Sequence, residues 1–158
     1  MAEHESVSER GPDVIAPPPL LYLIPLVAGL LLDRRLPLPR LPRGVRLSGL
    51  PLLAGGLGLL GGFVAAMFRA RTPIDVREAP TALVETGPFA YTRNPGYVGM
   101  ALTYTGISLL AGSRLSLLFL PAALLAIDRG VIRREELYLE QRFGESYRDY
   151  SSRVRRWL

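Results

Sequence analysis

Four stretches of this chain carry no charge at all: 14–32, 47–68, 94–113 and 115–127. A helix of about 20 uncharged, mostly apolar residues crosses about 30 Å of hydrocarbon. These runs therefore constrain the fold more than any other feature. They push all 33 charged residues of the 158-residue chain into the other 84 positions. A water-soluble single domain, which length alone would favour, does not segregate charge in this way. The expected architecture is an all-α integral membrane protein with about four transmembrane helices. The last two should form a tight helical hairpin, because only two or three residues separate the runs. Cytosolic amphipathic C-terminal helices should follow.

Composition removes several chemistries. There is no cysteine, which excludes disulfide scaffolds and thiolate-ligated metals. No metal site is expected. The one histidine, His4, lies in a polar tail and supplies no buried base. All 19 basic residues are arginine. The net charge of +5 reads as arginine facing membrane lipids rather than as affinity for nucleic acid.

The chain divides into a disordered polar tail (1–13), two N-terminal spans (14–68) and a C-terminal core (69–158). The first run follows no basic segment and ends at Asp33-Arg34-Arg35 without a small-residue cleavage site, so it reads as a span and not a signal peptide. Pro17-Pro18-Pro19 marks its start, and Pro25 should kink it. The second run contains Gly56-x-Gly58-x-x-Gly61, a dinucleotide fingerprint by letter only. That motif needs a strand before it, and here it sits inside an apolar helix. Gly58 and Gly62, four apart, read instead as a close-packing face. Such a face could serve within one chain or between two, leaving a homo-oligomer open. With four spans, 13 arginines fall on the side of both termini and six on the other. The excess of positive charge places the termini in the cytoplasm.

Two segments look chemical. At 100° per residue, Asp128, Ile132, Glu136, Leu139 and Phe143 share a helix face, with Glu135 beside it. A carboxylate within an apolar stripe needs a partner or a ligand; a solvated surface helix is the competing reading. After Gly144, the residues Tyr147, Tyr150, Val154 and Trp157 recur at helical spacing among arginines, as in an interfacial helix. In 81–99, Gly87-Pro88 forces a turn, Phe89 and Tyr91 add aromatic surface, and Arg93, Asn94 and Tyr97 bring polar groups to the mouth of the third run. Irregular backbone at a membrane boundary is tolerated where it lines a cavity.

Arg93-Asn94-Pro95-Gly96-Tyr97-Val98-Gly99, then a membrane hairpin, then Glu135-Glu136 and Phe143-Gly144-Glu145-Ser146-Tyr147, resembles the isoprenylcysteine carboxyl methyltransferase family and its phospholipid methyltransferase relatives. The likeness covers about residues 72–158. One departure stands out: the family histidine is Asn94 here. An amide donates and accepts hydrogen bonds but carries no proton at neutral pH.

The resemblance implies methyl transfer from S-adenosyl-L-methionine at the cytosolic membrane face. By position, it implies that Thr81, Ala82, Leu83 and Val84 line the cofactor pocket. Phe89 would pack on the cofactor, with Tyr91 and Arg93 beside it. Asn94, Pro95, Gly96 and Tyr97 would close the pocket, and Glu135 or Glu136 would hold the ribose or amino group. Glu136 and Arg133 are the implied catalytic residues, with Arg133 or Arg134 holding an anionic substrate group. In-line displacement at carbon needs alignment and exclusion of water more than acid–base help, which suits a chain without cysteine or a core histidine.

The expected methyl acceptor is a lipophilic small molecule or a lipid. Carboxyl, thiol and amine chemistry all stay open, as do a nicotinamide-dependent membrane reductase, a class with a similar C-terminal half, and a non-enzymatic membrane module. The arginine-only, alanine- and leucine-rich composition fits a GC-rich bacterial genome, and hence the bacterial inner membrane.

Overall fold

The computed structural model describes residues 11–36 and 38–158. Most of the expected polar tail, including His4, lies outside them. Every regular element among the described residues is helical. Helix α1 is Pro18–Arg35, α2 is Arg43–Leu47 and α3 is Gly49–Arg69. A 3₁₀ turn, Gly87–Ala90, precedes α4 (Pro95–Ala111), which leads to α5 (Arg114–Ile127). A π-helical turn, Asp128–Ile132, runs without a break into α6 (Arg133–Phe143), and α7 is Glu145–Arg153.

Local signals explain the boundaries. Proline stands in the first turn of α1 and α4, where a missing N–H costs nothing. Pro25 lies inside α1. Gly112 ends α4 in the left-handed region (φ 73°), and Ser113 caps α5 by accepting the Ser116 N–H at 3.1 Å. Asp33 strengthens that cap from α1: it accepts from the Ser113 hydroxyl and from the Leu115 N–H at 3.2 Å. A carboxylate at a helix N-terminus also meets the positive end of the helix dipole.

Two helix pairs build the bundle. Helix α3 packs on α4 through glycines seven apart on each, Gly49 and Gly56 against Gly99 and Gly106. A methyl group at Gly56 would stand 2.6 Å from the Thr103 nitrogen, and one at Gly106 would stand 2.6 Å from the Leu53 nitrogen. The expected pair, Gly58 and Gly62, does not make this contact. Gly58 faces open space and Gly62 touches only the Pro88 ring. Helix α1 packs on α5, with Gly29 against Ser116. Tyr22, Leu26, Tyr104, Ile127 and Val131 fill the core between α1, α4, α5 and the π turn. The Tyr22 and Tyr104 rings meet edge to face at 6.3 Å, and each hydroxyl donates to a backbone carbonyl, of Tyr97 and Ser116 respectively.

The expected count of four spans is not carried over. Two helices are long and apolar enough to cross a membrane, Arg43–Arg69 and Arg114–Phe143. The first joins α2 and α3; the second joins α5, the π turn and α6. Helix α1 holds three charges in its last turn. Helix α4, with 17 residues, reaches only about 26 Å at 1.5 Å per residue. The tail also departs from expectation. Val154 is extended, so Val154 and Trp157 leave the helical line of Tyr147 and Tyr150. Backbone pairing at Arg93 draws this segment off the helix, its N–H donating to the Arg155 carbonyl at 2.9 Å.

Candidate active site

A cavity of about 420 Å³ opens between α3, the start of α4, α6 and the 72–84 segment. Its size is in the range of small-molecule sites. Its body is apolar. Phe63 and Met67 from α3, Met100 from α4 and the Pro17-Pro18-Pro19 turn form one side; Ala82, Leu83, Val84 and Phe89 form the other. The Phe63 and Phe89 rings are 5.8 Å apart. Arg93, Asn94, Pro95, Gly96, Tyr97, Glu135 and Glu136 gather at the polar end, with Tyr147 and Tyr150 beside them.

Four of the residues named from the sequence stand outside this cavity. The Thr81 side chain turns away to donate to the Arg71 carbonyl at 2.9 Å, and its N–H bonds Thr72 at 3.0 Å, closing the loop. Tyr91 is 80% exposed. Arg133 points to solvent and pairs with Asp128 at 3.2 Å. Arg134 likewise reaches outward, to the Asp13 carbonyl at 2.7 Å.

The two glutamates differ sharply in company. Glu136 meets Arg156 through both oxygens, at 3.0 and 2.5 Å, and Arg93 at 3.2 Å. Bidentate arginine–carboxylate pairs of this kind are the strong, orienting ones. Glu135 accepts the Tyr97 hydroxyl at 2.8 Å, and no arginine among the described residues pairs with it. It sits in α6, beyond the apolar stretch of the long helix. Burial pushes its carboxyl up to about 7; the Tyr97 bond pulls the other way, and the Glu136 charge adds to the rise. Burial also raises the Tyr147 hydroxyl, to about 12. The Nε of Arg93 is buried and has no partner, an unspent donor at the polar end.

Asn94 has a definite structural use. Its amide Nδ2 donates to the Arg156 carbonyl at 2.9 Å, and its backbone N–H donates to the Thr92 hydroxyl at 3.2 Å. Thr92 in turn donates to the same Arg156 carbonyl at 3.1 Å.

The π turn explains how one arginine reaches both Asp128 and Glu136, at 3.3 and 2.5 Å. In a regular helix eight residues rotate by 800°, or 80° past two turns. A π turn absorbs one extra residue, so the rotation becomes about 700°, some 20° short of two turns. Asp128 and Glu136, at the two edges of one face with regular winding, then stand nearly in line. The freed Gly130 carbonyl accepts the Ile15 N–H at 3.3 Å.

Sequence reasoning missed Arg156, which looked like one of several interfacial arginines, and it missed the cavity wall made by Phe63, Met67 and Met100. The spacing of Asp128 and Glu136 was the available signal for Arg156, since two carboxylates along one stripe call for a cation.

Comparison with known proteins follows the same outline. An uncharacterized protein of Haemophilus influenzae is 40% identical over 62 residues, 39% of this chain and 98% of that protein. A protein-S-isoprenylcysteine O-methyltransferase of Schizosaccharomyces pombe is 38% identical over 72 residues, 46% of this chain but only 30% of the yeast enzyme. No solved structure matches. The family model of the phospholipid methyltransferases matches residues 45–146, from α2 to the start of α7. That stretch is well over half the chain, and the chain belongs to the phospholipid methyltransferase family.

Proposed function

We propose that the protein is an integral membrane methyltransferase that uses S-adenosyl-L-methionine to methylate a lipophilic acceptor. One observation carries the reading: a largely apolar cavity whose polar end at the start of α4 brings together an arginine-free carboxylate, Glu135, and an unpartnered buried donor, Arg93 Nε. These groups fit the cofactor. Glu135 suits its ammonium or ribose diol, Arg93 suits its carboxylate, and the Phe63–Phe89 wall suits its adenine. The cofactor supplies a methyl group already activated on sulfonium. The chain's own residues bind and align it, and the apolar walls exclude competing water.

Membrane residence is supported by the surface. Leu50, Leu57 and Phe68 on α3 and Leu118 on α5 are all more than half exposed, and clustered exposed apolar side chains mark contact with something other than water. We place the protein in a bacterial inner membrane with the cavity toward the cytoplasm, because arginines gather at the cavity: Arg77 and Arg93 line it and Arg156 binds Glu136.

One observation favours an amine as acceptor. An ammonium group must lose a proton before it can attack, and Glu135, buried at the polar end with Tyr97 on it and no arginine pair, is placed to accept that proton when the cofactor's ammonium is held by other groups. A carboxylate acceptor needs no such base.

The test is binding to the purified protein in detergent. S-adenosylhomocysteine should bind and NADPH should not. Binding of NADPH alone would return the reductase, and binding of neither would overturn the enzyme reading. Labelled methyl transfer into a total lipid extract, set against an assay for label released as methanol by mild alkali, then separates amine from carboxyl acceptors.

A further inference from the structure

The last described residues cross the polar end of the cavity, and Arg156 is the knot. Its guanidinium holds Glu136 bidentately and reaches Asp128 in the π turn at 3.3 Å. Its backbone carbonyl takes the side chains of both Asn94 and Thr92. One residue thus ties together the π turn, the glutamate pair and the segment that leads into α4. Yet Arg156 is not among the residues lining the cavity, and it lies beyond the stretch matched by the family.

We infer that Arg156 is a positioning residue for ligand binding. It acts through Glu136 and leaves Glu135 as the acid that meets the ligand. With Arg156 on both oxygens and Arg93 on one of them, Glu136 has little capacity left for a ligand; its task is to set the Arg93 guanidinium. Without Arg156, Glu136 would answer to Arg93 alone, and the 92–94 carbonyl anchor would move with the tail.

The binding arm of the test rests on the S-adenosyl reading above, so a second arm needs no ligand. First, S-adenosylhomocysteine affinity is measured for the wild type, Arg156→Ala, Glu136→Gln and the double variant. Arg156→Ala should weaken binding tenfold or more alone, and less than threefold on the Glu136→Gln background, because residues acting through one another are not additive. Equal losses on both backgrounds would mean a merely structural role and would overturn the proposal. Arg156→Lys, which keeps charge but loses the bidentate fork, should fall between; wild-type affinity for it would also overturn the proposal. Second, amide hydrogen exchange is followed in the ligand-free full chain. Arg156→Ala should speed exchange at Arg93, whose N–H bonds the Arg155 carbonyl, at least tenfold while α3 and α4 stay protected. Unchanged exchange there would sink the positioning role even if the wild type bound no S-adenosyl ligand. If Arg156→Ala fails to fold, both arms are read on Arg156→Lys.

Discussion

The Tyr97 hydroxyl donates to Glu135 at 2.8 Å, and it is the hydrogen-bond donor that stabilises the ionised form of that carboxylate. Burial works against ionisation, so the folded protein holds the Glu135 proton more tightly than the unfolded chain does. Stability contributed this way is full below the ordinary carboxylate range and is lost as pH rises through about 7. Thermal unfolding in detergent should therefore show stability falling between pH 5 and about 7.5, a slope that Glu135→Gln flattens. Tyr97→Phe should move the midpoint of the slope to higher pH. A wild-type profile as flat as that of Glu135→Gln would contradict this.

The glycine seam predicts opposite outcomes for neighbouring glycines. Gly56→Ala puts a methyl group 2.6 Å from the Thr103 nitrogen and should destabilise by about 1–3 kcal/mol. Gly58→Ala meets open space and should be neutral or stabilise by about 0.5–1 kcal/mol, because glycine is a poor helix former. Denaturation midpoints of the two variants in one detergent decide the matter.

Asn94 is expected to be replaceable by a donor but not by an acceptor. Asn94→Asp sets a carboxylate against the Arg156 carbonyl it now bonds, and should cost at least about 1–3 kcal/mol, the penalty of unmaking a buried hydrogen bond. Asn94→His, which restores the family residue, keeps an N–H donor and should retain stability and S-adenosylhomocysteine affinity. Comparable losses in both would show that shape, not donation, is what the site requires.

The cap shared by α1 and α5 should be visible as stability alone. Ser113→Ala removes the N-cap oxygen and the bond to Asp33, and should cost about 0.5–2 kcal/mol. It lies at the other end of the bundle from the cavity, so ligand affinity measured below the unfolding transition should not change.

Helix placement was legible in the sequence because charge-free runs and flanking prolines act locally. Gly112-Ser113 ends one helix and starts the next through its own dihedrals and hydroxyl. The span count was not legible from charge alone, since a charge-free run is not a helix: the first helix starts only at Pro18 and runs on through Asp33-Arg34-Arg35, and α4 has 17 residues. Gly58 and Gly62 satisfy the four-apart small-residue rule, whereas Gly49 and Gly56, seven apart, do not; only the facing helix shows that the second pair makes the seam. The polar end was half legible. Tyr97, Asn94 and the glutamates lie in compact motifs, whereas Arg156 joins partners 20 to 64 residues away and has no local signature. Regular 100° spacing puts Asp128 and Glu136 at the two edges of one face, 80° apart; the π turn that brings them to within about 20° leaves no mark that a residue count detects.

That π turn has a consequence for chain length. Along the continuous helix from Arg114 to Phe143, losing a residue ordinarily swings everything downstream by about 100°, carrying both glutamates off their partners. Within 128–132 one residue is surplus to regular winding, so a single deletion there would leave Asp128 and Glu136 on the same face. Ahead of the glutamates, it is the one stretch of the helix where a relative could be a residue shorter and still aim them at the cavity.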